Sequence, residues 1–302
     1  MAVIEVANLI KTYGGTHAVD GISFAIEAGE VFSLLGPNGA GKTTTVEILE
    51  GHRQATAGKV SVLGFDPDTG GRDFRERIGI VLQDTALEPD LKVHEVIDLY
   101  GQMYPNRLGT DDLVGMVGLE AKADARIKTL SGGQRRRLEL ALGIVGRPDV
   151  IFLDEPTTGF DPSARRQAWT VIENLKSLGR TILLTTHYMD EAQTLADRVA
   201  VISAGKIVDI GTPDTLGGRE TDATVIRFRL DGEVDLARLA VSREELSIDE
   251  EGRVEVRTHD PTTVVHSITG WALDRDLELN GLTVTRPSLE DVYLELTEGS
   301  DE

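Results

Sequence analysis

The sequence predicts an α/β fold, a largely parallel sheet wrapped by helices, followed by a smaller α+β domain. Three observations carry that expectation. Short β-branched apolar runs alternate with helical patterns over the first two-thirds of the chain. The composition then shifts: residues 222–302 hold 20 acidic against 8 basic residues, and no lysine follows Lys206. Between the two stretches, Gly211-Thr212-Pro213 and Gly217-Gly218 punctuate the chain. The expected domains are 1–221 and 222–302.

In chain order, residues 31–35, 78–82, 150–153, 181–185 and 199–203 read as strands. Their apolar residues run on without strict alternation, the pattern of strands covered on both faces. Residues 43–49, 93–100, 134–145, 163–177 and 190–196 fit helices. From about 84 to 145 no strand pattern occurs, so this stretch is expected to be a helical subdomain. After the boundary the reading is strand 223–230, helix 234–239, strands 246–248 and 254–258, helix 262–273, strand 277–284 and helix 289–296. The first six follow the β-α-β-β-α-β order of a ferredoxin-like fold.

Composition narrows the chemistry. The 302 residues carry 31 Lys+Arg against 51 Asp+Glu, a formal charge of −20, which argues against nucleic acid as a partner. No cysteine occurs, so disulfides, thiolate nucleophiles and cysteine metal sites are excluded. No stretch reaches the ~18–20 apolar residues of a membrane span, and the start of the chain lacks signal-peptide character.

Gly36-Pro37-Asn38-Gly39-Ala40-Gly41-Lys42-Thr43 fits G-x4-G-K-[ST] between a predicted strand and a predicted helix. A loop free of bulky side chains lets backbone N–H groups converge on phosphate, and the helix N-terminus adds more. Lys42 is suited to the β- and γ-phosphates, and the Thr43 hydroxyl to Mg2+. At the end of the strand 150–153, Asp154 and Glu155 offer two carboxylates. Asp154 suits Mg2+, which prefers oxygen ligands; Glu155 is placed to take a proton from the attacking water. His187 follows the strand 181–185 and is placed to contact the γ-phosphate or that water. Gln83 offers an amide oxygen to Mg2+ or water, and Tyr13 an aromatic face for adenine. Leu130-Ser131-Gly132-Gly133-Gln134 opens another helix, and its paired glycines suit a second anion site at a helix N-terminus.

Taken together and in this order, these motifs resemble the nucleotide-binding subunit of an ATP-binding-cassette (ABC) transporter, a P-loop NTPase, over about residues 2–220. The resemblance implies ATP and Mg2+ as cofactors and two copies paired head-to-tail. Each ATP would then lie between the loop 36–44, Thr44 included, of one copy and Ser131, Gly132, Gly133 and Gln134 of the other. It implies Glu155 as general base, His187 as γ-phosphate sensor, Thr43, Gln83 and Asp154 as Mg2+ ligands, and Asp161 against the opposite copy. Phe160 departs from the leucine more usual before that aspartate and removes no chemical group from the site. Gln134-Arg135-Arg136-Arg137, Thr157-Thr158-Gly159-Phe160-Asp161-Pro162 and the run Pro287 to Tyr293 resemble the daunorubicin-resistance-like branch of drug exporters. Its members use separate transmembrane permease subunits, so a cytoplasmic subunit on the inner face of the membrane is expected. The alternative is a soluble ABC-type ATPase acting on a ribosome or DNA. Residues 222–302 carry no chemical motif and are expected to form an acidic accessory domain.

Overall fold

A computed structural model describes residues 2–81, 87–218, 223–230, 246–249, 252–285, 289, 290 and 293. The chain divides into two compact units, Met1–Pro213 and Asp214–Glu302.

The first unit is built on a six-stranded sheet. Its strands are β3 (Val31–Leu35), β5 (Ile78–Val81), β6 (Val150–Asp154), β7 (Thr181–Thr186), β8 (Arg198–Ser203) and β9 (Lys206–Gly211), in the order β5-β6-β7-β3-β8-β9. All neighbours run parallel except β9, which closes the edge antiparallel to β8. Every residue of β3, β6 and β7 is buried, because both faces are covered. The period of two along a strand sorts their side chains into two cores. Val150 and Phe152 point into one core, and Ile151 and Leu153 into the other.

The first of these cores lies under a second sheet that the strand reading above does not contain. It consists of β1 (Ala2–Tyr13), β2 (Thr16–Glu27) and β4 (Ala57–Val62), antiparallel in the order β2-β1-β4. Phe24 of β2 stacks on Phe32 of β3, centroids 5.3 Å apart, and joins the two sheets. Its signal is blurred in the sequence by register shifts along β1 and by Asn8, which sits at φ 50°.

Helices cover the remaining surfaces: α1 (Lys42–Leu49), α2 (Gly71–Arg75), α3 (Val93–Gly101), α4 (Thr110–Met116), α5 (Gly132–Ile144), α6 (Pro162–Ser177) and α7 (Met189–Leu195). Between 87 and 145 the described residues hold helices and turns, with no strand beyond an isolated antiparallel bridge of Lys92 to Arg126.

The second unit holds β10 (Thr224–Arg229), β11 (Leu246–Ile248), β12 (Arg253–Thr258), α8 (Pro261–Leu273) and β13 (Asn280–Thr285). Strand order is β11-β12-β10-β13 with every neighbouring pair antiparallel, which is the ferredoxin-like arrangement. Ile226, Phe228, Val256, Ile268 and Trp271 form its core. β13 starts three residues later than the predicted strand 277–284, because α8 uses the residues before it as a cap. Asp276 turns left-handed at φ 55°, and the Leu277 N–H donates to Ala272 O at 3.0 Å. The expected helix 234–239 and the boundary near 221 lie outside the described residues; of the expected helix 289–296, Leu289, Glu290 and Tyr293 are described and helical.

Candidate nucleotide site

Three adjacent strands deliver the site. β6, β7 and β3 lie side by side, with Asp154 level with Thr185 and Leu35 level with Thr186. The loop after β3, the carboxylates of Asp154 and Glu155 at the end of β6 and His187 after β7 therefore emerge together at the carboxyl end of a parallel sheet, where ligands of such sheets bind.

Residues 36–41 form the turn from β3 into α1. Gly41 sits at φ 103°, and a Cβ there would come within 2.4 Å of Ala18 O. At Gly36 a Cβ would lie 2.2 Å from Ile202 O, so backbone fills the space a side chain needs. The turn encloses an open cavity of about 310 Å³ lined by Ala18, Asn38, Gly39, Gly41, Lys42, Thr43, Thr44 and Glu155. Ala40 is buried beneath it. Lys42 is only 4% exposed. Its Nζ donates to Gly36 O at 2.7 Å and Pro37 O at 3.1 Å, and lies 3.5 Å from Glu155 Oε1. Burial pulls its pKa below the ordinary lysine value, and Glu155 and Asp154 offset part of that pull.

The two carboxylates face different ways. Asp154, 7% exposed, accepts from Thr43 Oγ1 at 3.2 Å and from Thr185 Oγ1. Glu155 adopts φ 45°, a left-handed backbone that a non-glycine residue holds only when its surroundings impose it. They do: Thr185 Oγ1 accepts from the Glu155 N–H at 3.0 Å, and Thr158 Oγ1 donates to Glu155 Oε2 at 3.0 Å. His187 Nδ1 lies 3.3 Å from Glu155 Oε1. Burial pushes the Glu155 carboxyl up, but Thr158, His187 and Lys42 together outweigh it, so its pKa sits below the ordinary glutamate value. Contacts of 3.2–3.5 Å thus join Thr43 to Asp154 and both Lys42 and His187 to Glu155, and Lys42, Thr43 and Glu155 line the cavity at the loop.

Ser131 caps α5. Its Oγ accepts from the Gln134 N–H at 3.3 Å, and the Ser131 N–H donates to Gln134 Oε1 at 3.0 Å. Gly132 has open space at its Cβ position, whereas a Cβ at Gly133 would lie 3.0 Å from Ala164 Cβ. Asp161 caps α6, accepting at Oδ1 from the Ser163 and Ala164 N–H groups at 2.8 and 2.9 Å. Ser131, Gly132, Gly133, Gln134, Phe160 and Asp161 line a separate open cavity of about 1030 Å³, which Glu155 also reaches. Tyr13, 41% exposed, lies at the end of β1 with Lys11 Nζ 5.1 Å and Arg53 Cζ 5.4 Å from its ring centroid. Gln83 lies outside the described residues.

Thr185, Thr158 and Arg136 are further residues at this site, given no role by the motifs. Thr185 carries a legible signal, a polar residue inside an otherwise apolar buried strand. Arg136 carries none, because three arginines in succession read as a solvated charge run, yet it is 6% exposed.

Residues 19–158 match the family model described as ABC transporter. Residues 224–288 match one described as the C-terminal domain of ABC transporter domain-containing protein-like chains. The linearmycin resistance ATP-binding protein LnrL of Bacillus subtilis (strain 168) is 33% identical over 98% of this chain and 98% of its own. Nod factor export ATP-binding protein I of Rhizobium meliloti (strain 1021) is 38% identical over 97% of this chain and 88% of its own. Among solved structures, cbiO1 from Clostridium perfringens, part of the ABC transporter complex cbiONQ, is 31% identical with a TM-score of 0.64, covering 70% of this chain and 89% of its own. The dimeric bacterial ABC transporter cassette MJ0796 is 26% identical with a TM-score of 0.61, over 69% of this chain and 98% of its own. With the phosphate loop, the strand-end carboxylates and the capped Ser131-Gly132-Gly133 turn in place, the chain belongs to the ATP-binding proteins of ABC transporters, and it is an ATPase.

Proposed function

We propose that this chain powers a multi-subunit exporter of drugs or other hydrophobic compounds, with transport performed by separate membrane permease subunits. The observation that carries this is the convergence of Lys42, Thr43, Asp154, Glu155 and His187 on a phosphate-binding loop, in a chain similar over nearly its whole length to a resistance and an export ATP-binding protein. No helix among the described residues is long and apolar enough to cross a membrane, which is consistent with a permease made of other chains.

In this reading ATP enters the loop 36–44, with Tyr13 against adenine. Lys42 exchanges its bonds to Gly36 O and Pro37 O for the β- and γ-phosphates. The residues fit Mg2+: the Thr43 hydroxyl and Asp154 carboxylate are adjacent oxygen donors, and Gln83 is a third candidate. Among the described residues no group of three or more His, Asp or Glu side chains is arranged as a metal cage, so phosphate and water would complete the shell. The ion supplies positive charge that neutralises the phosphates. Glu155, ionised and aimed by Thr158 and His187, accepts the proton of the attacking water, and His187 senses the γ-phosphate.

Ser131, Gly132, Gly133 and Gln134 serve the ATP held by a second copy, with Asp161 at the seam. ATP then favours the closed pair only through its difference in affinity between the closed and open states. Residues 222–302 act as an accessory domain that steadies this pair; removing them is expected to weaken dimerisation in light scattering while leaving ATP affinity unchanged.

Extraction of cell membranes in mild detergent with this chain tagged tests the transport reading. Recovery in stoichiometric complex with a polytopic membrane protein is the expected result. Recovery only from the soluble fraction, bound to ribosomes or DNA, would contradict it.

A further inference from the structure

The helix that begins at Ser131 reaches back to the hydrolysis site through one side chain. Arg136 lies on the first turn of α5 after the glycines and is buried. Its Nη2 donates to Asp154 O at 3.1 Å and its Nε to Pro156 O at 3.2 Å. These are the carbonyls on either side of Glu155. The remaining edge of the guanidinium, Nη1, donates to Glu139 Oε2 at 2.9 Å, one turn along the same helix.

An ion pair with Glu139 alone would satisfy a structural role. The two carbonyl bonds go further, because they grip the backbone of a residue held at φ 45°. The direction of the Glu155 carboxylate is set by that backbone, and left-handed geometry persists only where the surroundings over-determine it. Thr185 holds the Glu155 N–H from the β7 side, and Arg136 holds the flanking carbonyls from the α5 side. Only a planar fork with donors on several edges spans both carbonyls and the Glu139 carboxylate at once; an ammonium is a point donor.

We propose that Arg136 is a positioning residue for ATP hydrolysis, fixing the turn that carries Glu155 to the helix that starts at Ser131. This rests on the assignment of Glu155 as general base. Arg136 acts through the backbone on either side of Glu155. A displacement of the start of α5 is thereby delivered to the base.

The test uses the full chain in three forms beside the parent: Arg136→Lys, the double variant Arg136→Met with Glu139→Leu, and Glu155→Gln. The double variant removes both buried charges, so neither is left unpaired. Melting temperature, ATP affinity, KM and kcat are measured for each. Arg136→Lys and the double variant are expected to keep ATP affinity and KM while kcat falls roughly 10- to 100-fold, the cost of a misplaced catalytic group. Arg136→Lys keeps a charge opposite Glu139 and should melt near the parent, which separates positioning from folding. Parent-like kcat in Arg136→Lys, or in a folded double variant, would overturn the proposal while leaving Glu155 as base if Glu155→Gln is inactive. Parent-like kcat in Glu155→Gln would overturn the base assignment, and this inference with it.

Discussion

Lys42 Nζ donates to Gly36 O and Pro37 O and pairs with Glu155 at 3.5 Å. Bound phosphate must therefore compete with existing partners, and the loss of Lys42 costs one charge-assisted contact rather than the whole loop. Lys42→Ala is expected to weaken ATP binding roughly 10- to 100-fold in a calorimetric titration, the worth of one hydrogen bond to a charged group. A second residue-scale consequence concerns Glu50, 4% exposed. Burial, with the charges of Asp154 and Glu47, raises its pKa from 4.5 to about 8, and His52 Nδ1 is 3.2 Å from its Oε2. The folded chain keeps this proton over a range where the unfolded chain has released it. Stability from this group is thus complete below 4.5 and is lost as pH rises through about 8. In protein free of nucleotide and Mg2+, Glu50→Gln should flatten the fall of melting temperature between those limits.

At the scale of elements, what was legible depended on whether a pattern stayed local. The buried strands announced themselves because every residue of β3, β6 and β7 faces a core. The phosphate loop was legible because Gly36 and Gly41 have no room for a side chain, a constraint written directly into residue type. The β1-β2-β4 sheet was not, since its register shifts break the alternation that a strand reading needs. Arg136 was hidden for a different reason: its partners are carbonyls 18 and 20 residues away, and main-chain acceptors leave no mark in a sequence. Helix caps lie between these cases. Asp161 accepts two N–H groups at the start of α6 beside Pro162. Asp161→Ala should cost about 1 kcal/mol of stability in denaturant unfolding, whereas Asp161→Asn, a comparable cap, should cost little. If the aspartate also meets the opposite copy, Asp161→Asn will still lower the ATPase rate.

For the whole molecule, the apolar clusters respect the division of the chain. Two of them lie within Met1–Pro213 and the third within Asp214–Glu302, so each unit has a core of its own. The residues proposed to handle nucleotide lie in the first unit and line two cavities: Lys42 and Thr43 one, Ser131 and Asp161 the other, with Glu155 at both. That division is what a pair of copies would complete. Glu155→Gln, saturated with Mg-ATP, isolates the question because it should slow hydrolysis by roughly 10²- to 10⁴-fold while sparing binding. Light scattering on this variant, followed by its crystal structure, is the most direct measurement. The account predicts a nucleotide-dependent dimer with Ser131 of each copy against the terminal phosphate held by the other copy's Lys42. A monomer at saturating nucleotide, or a dimer with Ser131 remote from any phosphate, would contradict it.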